Sequence, residues 1–373
     1  MSARTYDVAI VGAGIIGGAI AWELARAGLR VVLLDRQQAG MEASWAAAGM
    51  LAPGAETPDS VPVAPLGRAS LALYPEFVAG IEADSGANVE FEPGDALQVF
   101  FDEAAERESE AFLALHREFG MRGEVIAPDL ARTLEPELSR QARVAVLCED
   151  EARVNGRALT AAVLEAAQRR GAELRAGSAV TSLEIAQGRV TGVHTASGAI
   201  SAGRVVIAAG CWSGGLEQVA PYAPTRPVRG QMVALRSERV SLRHVLRSHS
   251  GYIVPRADGR LVCGSTAEPE AGFEKRVTPE GQQHILAAAT ELVPALSHAA
   301  VVETWSGLRP DTPDHLPSLG PTHVEGLLMA TGHYRNGLLL APITARLMHE
   351  WIIEGRAASF AAEPFSPLRF AGG

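Results

Sequence analysis

Apolar, largely β-branched residues fill positions 6–11 (YDVAIV) and return at 30–34 (RVVLL). Between them lies GAGIIGGAIAWELA, a glycine-rich turn running into a helix-length apolar segment. Strands that lack polar alternation are the pattern of parallel strands covered on both faces. The helix stops at Gly28, a residue type free to take the left-handed turn that closes helices. Residues 6–35 therefore read as one β-α-β unit.

The pattern then loosens. Residues 52–65 (APGAETPDSVPVAP) are rich in proline and predict an irregular loop. Helical periodicity resumes at 66–84, and 103–119 (EAAERESEAFLALHREF) is amphipathic. ALQVFF at 96–101 reads as a strand between them. A helix at 157–170 ends at Gly171, followed by strands at 179–185, 189–195 and 204–208, the last again doubly apolar. From 227 to 266 alternation takes over in QMVALR, GYIVPR and RLVCGST, which predicts an antiparallel sheet. A helix at 279–292, an apolar strand at 326–330 and a helix at 338–353 follow, and no internal repeat is visible. Two sheet types alternating along the chain predict an α/β protein with two interleaved units.

Composition narrows the class. The 373 residues are 47% hydrophobic and 20% charged, ordinary for a globular protein large enough for two domains. A net charge of −10 argues against a nucleic-acid surface, which needs a basic stripe. No stretch reaches the roughly 20 apolar residues of a membrane span, and the N-terminal segment reads as folded protein rather than a leader. The three cysteines, Cys148, Cys211 and Cys263, are far apart and lack metal-type spacing; they read as buried thiols in a reducing, cytoplasmic setting. No histidine or acid cluster points to a metal.

Residues 12–17 (GAGIIG) match the dinucleotide fingerprint in its required context, after a strand and opening a helix. Gly12 permits the tight turn, Gly14 leaves room for a pyrophosphate, and Gly17 lets helix and strand pack closely. The helix start offers backbone N–H groups to phosphate. Asp35, closing the second strand, suits ribose hydroxyls. The motif alone does not decide between NAD and FAD.

Four further segments, EASWAAAGMLAP (42–53), GYIVPR (251–256), WSGLRPDTPD (305–314) and GHYRNGLLLAP (332–342), resemble the FAD-dependent D-amino-acid oxidase and sarcosine oxidase-like family, which includes glycine oxidase. The resemblance implies an FAD-binding Rossmann-like domain of glutathione-reductase type (1–84, 146–219, 322–373). It would be interleaved with an α+β substrate domain on a mixed or antiparallel sheet (85–145, 220–321). It also implies noncovalent FAD, since no cysteine stands near Arg335 to form a covalent link. Ile15, Ile16, Asp35 and Arg36 would touch the nucleotide half. Ala43, Ser44, Ala48, Gly49 and Met50 would lie along the ribityl chain and flavin, and Val180 near the adenine. His333, Tyr334, Arg335, Asn336, Gly337, Leu338 and Leu339 would wrap the flavin's far side.

The implied substrate is glycine or another small amine, such as sarcosine or a small D-amino acid, oxidised at Cα with O₂ as acceptor, and the resemblance also implies service to thiamine biosynthesis. A carboxylate calls for a guanidinium, and the resemblance supplies Arg309 and Arg335, with Tyr252 beside them. No side chain is assigned as catalytic acid or base. Two positions depart from the family pattern: Ser250 stands where a histidine is expected, next to His249, and Ala267 replaces a methionine. An alternative is a D-amino-acid or N-methyl-amino-acid dehydrogenase using another electron acceptor. A third reading, an FAD-bearing tRNA- or protein-binding module, conflicts with the acidic charge and the arginine pair. The resemblance also implies a homo-oligomer, a tetramer.

Overall fold

A computed structural model describes residues 5–54 and 62–371, so positions 55–61 of the loop expected at 52–65 lie outside the described residues, and its end at 64–65 already belongs to a helix. The chain opens with β1 (Tyr6–Val11), α1 (Ile15–Arg26), β2 (Val31–Leu34), α2 (Ala43–Ala46), β3 (Met50–Leu51) and α3 (Ala64–Ser85). Next come β4 (Glu92–Phe100), α4 (Ala105–Glu118), β5 (Gly123–Ile126), α5 (Pro128–Leu134), β6 (Val144–Arg153) and α6 (Gly156–Arg169). Then follow β7 (Glu173–Arg175), β8 (Val180–Ala186), β9 (Arg189–Thr195), β10 (Gly198–Ile207), β11 (Arg226–Arg236), β12 (Val245–Arg247), β13 (Tyr252–Pro255) and β14 (Arg260–Gly264). The described chain closes with α7 (Pro279–Leu292), β15 (Ala300–Asp311), β16 (Ser318–Pro321), β17 (Leu327–Thr331) and α8 (Gly337–His349), trailed by short helical turns.

Two sheets form. The first runs β16-β17-β10-β1-β2-β7, with β8 and β9 attached beyond β10. β1 pairs in parallel with both β10 and β2, so the doubly apolar strands lie at its centre. α1, α3, α6 and α8 bury Ile20, Tyr74, Leu159 and Leu340 against one face; Val193, Val205 and Leu216 fill the other. Each large side chain so buried contributes about 1.5–3 kcal/mol.

The second sheet runs β15-β11-β14-β13-β12-β4-β6-β3, with β5 on β6. It is antiparallel apart from the β12–β4 pair, a mixed sheet. One face packs on α7 through Ile285 and Leu292; the other carries Met232, Val254 and Trp305.

Two strands cross the expected boundaries. β6 straddles residue 146 and pairs with β4 in the second sheet, while β16, placed before residue 322, pairs with β17 in the first. β15, which holds WSGLRPD, is a strand that the hydrophobic pattern does not mark. It lies at the sheet edge, where proline is tolerated.

Candidate active site

A cavity of about 460 Å³ lies where the carboxyl ends of β1, β2, β10 and β17 meet the face of the second sheet. This crevice is where open α/β sheets bind ligands. Every site residue expected from sequence lines it except Gly17 and Leu339. A Cβ on Gly17 would run into the Gly12 carbonyl and sit 3.3 Å from Leu33 Cδ1, so this glycine serves helix–strand packing. Leu339 turns away toward Gly67.

At the nucleotide end, Gly12 has φ +106°, and a Cβ there would lie 2.6 Å from the Ala208 carbonyl carbon. The tight turn therefore excludes any side chain. Asp35 accepts from the backbone N–H of Ala13 (2.9 Å) and Gln37 (3.0 Å), and burial pushes its pKa up. Ser44 Oγ accepts from Ile15 N–H at 3.0 Å, capping the first turn of α1. Arg36 is held by Glu42 (2.8 Å) and lies 3.6 Å above the Trp212 ring. Val180 contributes beside Ser178 and Ala179.

The alanine-rich segment owes its path to residues distant in sequence. Trp305 Nε1 donates to the Ala46 carbonyl at 3.0 Å. Arg157 Nε donates to the Trp45 carbonyl at 3.3 Å while its guanidinium stacks 3.7 Å over the Trp45 ring. Arg256 donates to the carbonyls of Val154 (2.8 Å) and Ala48; burial lowers its pKa to about 10. Gly49, at φ +82°, would drive a Cβ into the Val154 carbonyl. Its lack of a side chain is thus required by the segment that follows β6, while the residue itself lines the cavity. Arg256 was missed in the sequence because its partners are backbone carbonyls.

The segment 333–338 enters α8 at the far side. Tyr334 adopts φ +47°, donates its N–H to the Pro310 carbonyl at 2.8 Å and stacks on His315, ring centroids 5.3 Å apart. His333 is buried with Nε2 3.1 Å from Thr344 Oγ1, and burial lowers its pKa to about 3, which keeps it neutral. Pro342 lies inside α8 and cannot donate to the Leu338 carbonyl; Tyr74 OH donates there instead, at 2.6 Å. Ser70 Oγ donates to the Leu339 carbonyl at 2.6 Å and accepts from Ile343 N–H at 3.3 Å. α3 thereby holds the helix start that faces the cavity.

The other end of the cavity is one face of the neighbouring strands β15, β11, β14 and β13. Arg309 projects from β15, and a Cβ on Gly230 of β11 would lie 2.5 Å from its Cζ. The guanidinium thus rests flat on that glycine. Tyr252 rests likewise on Gly264, whose Cβ would lie 2.5 Å from the hydroxyl. Arg335 is exposed, with its Cζ 5.3 Å over the Tyr334 ring. Ser250 and Ala267 do not line the cavity, and His249 and Ala267 are exposed.

These residues fit FAD. Asp35 has lost hydration and has acceptor capacity suited to a ribose diol. The starts of α1 and α8 both reach the cavity wall, favouring a pyrophosphate at one and the electron-rich edge of a flavin at the other. Among the described residues His116, Cys148 and Glu151 bring possible metal-ligand atoms within 4.8 Å of one another. The cation there is Arg247, which donates to Glu151 Oε1 at 2.7 Å and also bonds the Cys148 side chain. A metal ion would strand that buried guanidinium.

Residues 7–351 match the family described as FAD dependent oxidoreductase (DAO). The chain belongs to that family. Within it, a bifunctional ThiO/ThiG protein of Synechocystis sp. is 37% identical over 98% of this chain, which spans 54% of that relative. The glycine oxidase of Geobacillus kaustophilus is 35% identical, with 98% of each chain covered. The crystal structure of glycine oxidase from Geobacillus kaustophilus superposes with a TM-score of 0.92 at 33% identity, over 97% of this chain and 98% of that one. This chain therefore spans about half of the bifunctional relative and nearly all of the glycine oxidase. No helix among the described residues is long and apolar enough to cross a membrane.

Proposed function

We propose that the protein oxidises glycine and other small amines, converting glycine, O₂ and water to glyoxylate, ammonia and H₂O₂. The observation that carries this reading is Arg309, seated on Gly230 in the same cavity that the fingerprint turn and the 333–338 segment line. Bound FAD supplies the hydride acceptor and its reoxidation by O₂. The chain's own task is placement. Arg309 takes the substrate carboxylate with Tyr252 beside it, which points the amine-bearing carbon into the cavity. Arg335 guards the exposed side. His333, buried and bonded to Thr344, is not free to serve as base, so the amine must arrive neutral.

Full-length relatives carrying glycine oxidase names support this substrate class, and the ThiO/ThiG relatives support a role in supplying thiamine biosynthesis. The reading includes the unit around the first sheet as the FAD-binding part, cytoplasmic residence and a homotetramer; light scattering tests the last. Anaerobic mixing of the yellow holoenzyme with glycine, sarcosine and D-alanine tests the activity. Bleaching by at least one, with H₂O₂ formed on readmitting air, is expected. A flavin that none of them bleaches overturns the substrate class.

A further inference from the structure

A guanidinium grips a carboxylate well only when its own position is fixed. Besides resting on Gly230, Arg309 is tethered by hydrogen bonds to the strand end beside it. Its Nη1 donates to the Thr266 carbonyl at 3.1 Å and its Nη2 to Ser265 Oγ at 2.6 Å. The two anchors differ in what their side chains do. Thr266 Oγ1 accepts from Gln231 N–H at 2.9 Å and donates to Glu268 at 2.5 Å. Glu268 in turn takes Arg229 Nε at 3.0 Å and Gln231 Nε2 at 2.8 Å. This network pins the strand end. Ser265 stands outside it and lines the cavity, with its Oγ on Arg309.

A serine hydroxyl carries one donor and two acceptor sites. Accepting from the Arg309 cation turns the hydroxyl's own proton away from that cation. Accepting also strengthens the hydroxyl as a donor, since chained hydrogen bonds polarise one another. Resting on the amine-oxidase reading, we propose that Ser265 is a further substrate-binding residue. Its hydroxyl accepts from Arg309 and donates to the same substrate carboxylate, so that guanidinium, hydroxyl and carboxylate form one hydrogen-bonded ring. Ser265 then sets a preference for a free carboxylate over an ester or amide, to which Arg309 and Ser265 could not both donate as strongly.

The test uses the FAD-loaded enzyme and acetate, a carboxylate that does not react, read by perturbation of the flavin absorbance, together with glycine KM and kcat. Ser265→Ala should weaken acetate binding and raise KM by about tenfold to a hundredfold, the effect of losing a bond to a charged group. It should leave kcat and flavin content near their starting values. Ser265→Thr, which keeps the hydroxyl, should restore most of the loss, and in an Arg309→Ala background Ser265→Ala should lose most of its effect. Unchanged acetate binding in Ser265→Ala, with binding lost in Arg309→Ala, would overturn the proposal while leaving Arg309 as carboxylate site. Failure of glycine, sarcosine and D-alanine alike to bleach the flavin of the unaltered enzyme, by contrast, strikes the functional reading itself.

Discussion

Gly12 and Gly49 contrast with Gly230 and Gly264. The first two have left-handed backbones, at φ +106° and +82°, and face backbone carbonyls at close range. The second two have no such φ; each leaves room for a side chain, Arg309 or Tyr252. One pair lets the chain take its path, and the other lets functional groups lie flat on the sheet. A glycine that faces backbone thus carries stability, whereas a glycine beneath a cavity side chain carries the placement of that side chain.

Gly12→Ala should break the fold outright, combining backbone strain with collision at Ala208, at a cost of about 3 kcal/mol or more. Thermal unfolding and flavin content measure it, and a variant that stays yellow with an unchanged Tm would erase the contrast. Gly230→Ala should leave flavin bound while displacing Arg309, raising glycine KM by about a hundredfold; loss of flavin there would put it in the first class. Tyr74→Phe should cost about 1–3 kcal/mol, because it orphans the Leu338 carbonyl beside Pro342, and urea unfolding would show it as a lower midpoint.

The smallest effect is acid sensitivity. Burial lowers the pKa of His116 to about 4 from a usual 6.5, so the folded state holds the ring neutral. Its contribution is complete above the unfolded pKa and is lost as pH falls toward 4, by up to about 1.4 kcal/mol per pH unit. In His116→Leu the difference in unfolding free energy between pH 7 and pH 5 should shrink; an unchanged difference refutes the assignment.

The nucleotide end was legible because its determinants are local. Gly12, Gly14 and Asp35 belong to one β-α-β unit, where strand period and turn chemistry speak within a few residues. The family resemblance reached Arg309 and Tyr252 but not what seats them. Gly230, Ser265 and Arg256 act through neighbours on other strands or through backbone carbonyls, and neither relation leaves a mark in the hydrophobic pattern. The same blindness misplaced β6 and β16 and passed over β15, whose neighbours are set by pairing across the sheet. The contact of Gly49 with Val154 was not legible either, since Val154 lies more than a hundred positions away in the chain.

Pro342 interrupts α8 one turn inside the wall of the cavity, and Ser70 and Tyr74 of α3 complete the ladder that it breaks. The helix is consequently aimed from outside, like a lamp on a bracket, rather than by its own backbone alone. Any cofactor whose electron affinity responds to the field of that helix start can be retuned by substitutions on α3 that never touch the cavity. A substitution at Ser70 or Tyr74 would therefore re-aim that helix start while leaving the residues that line the cavity unchanged.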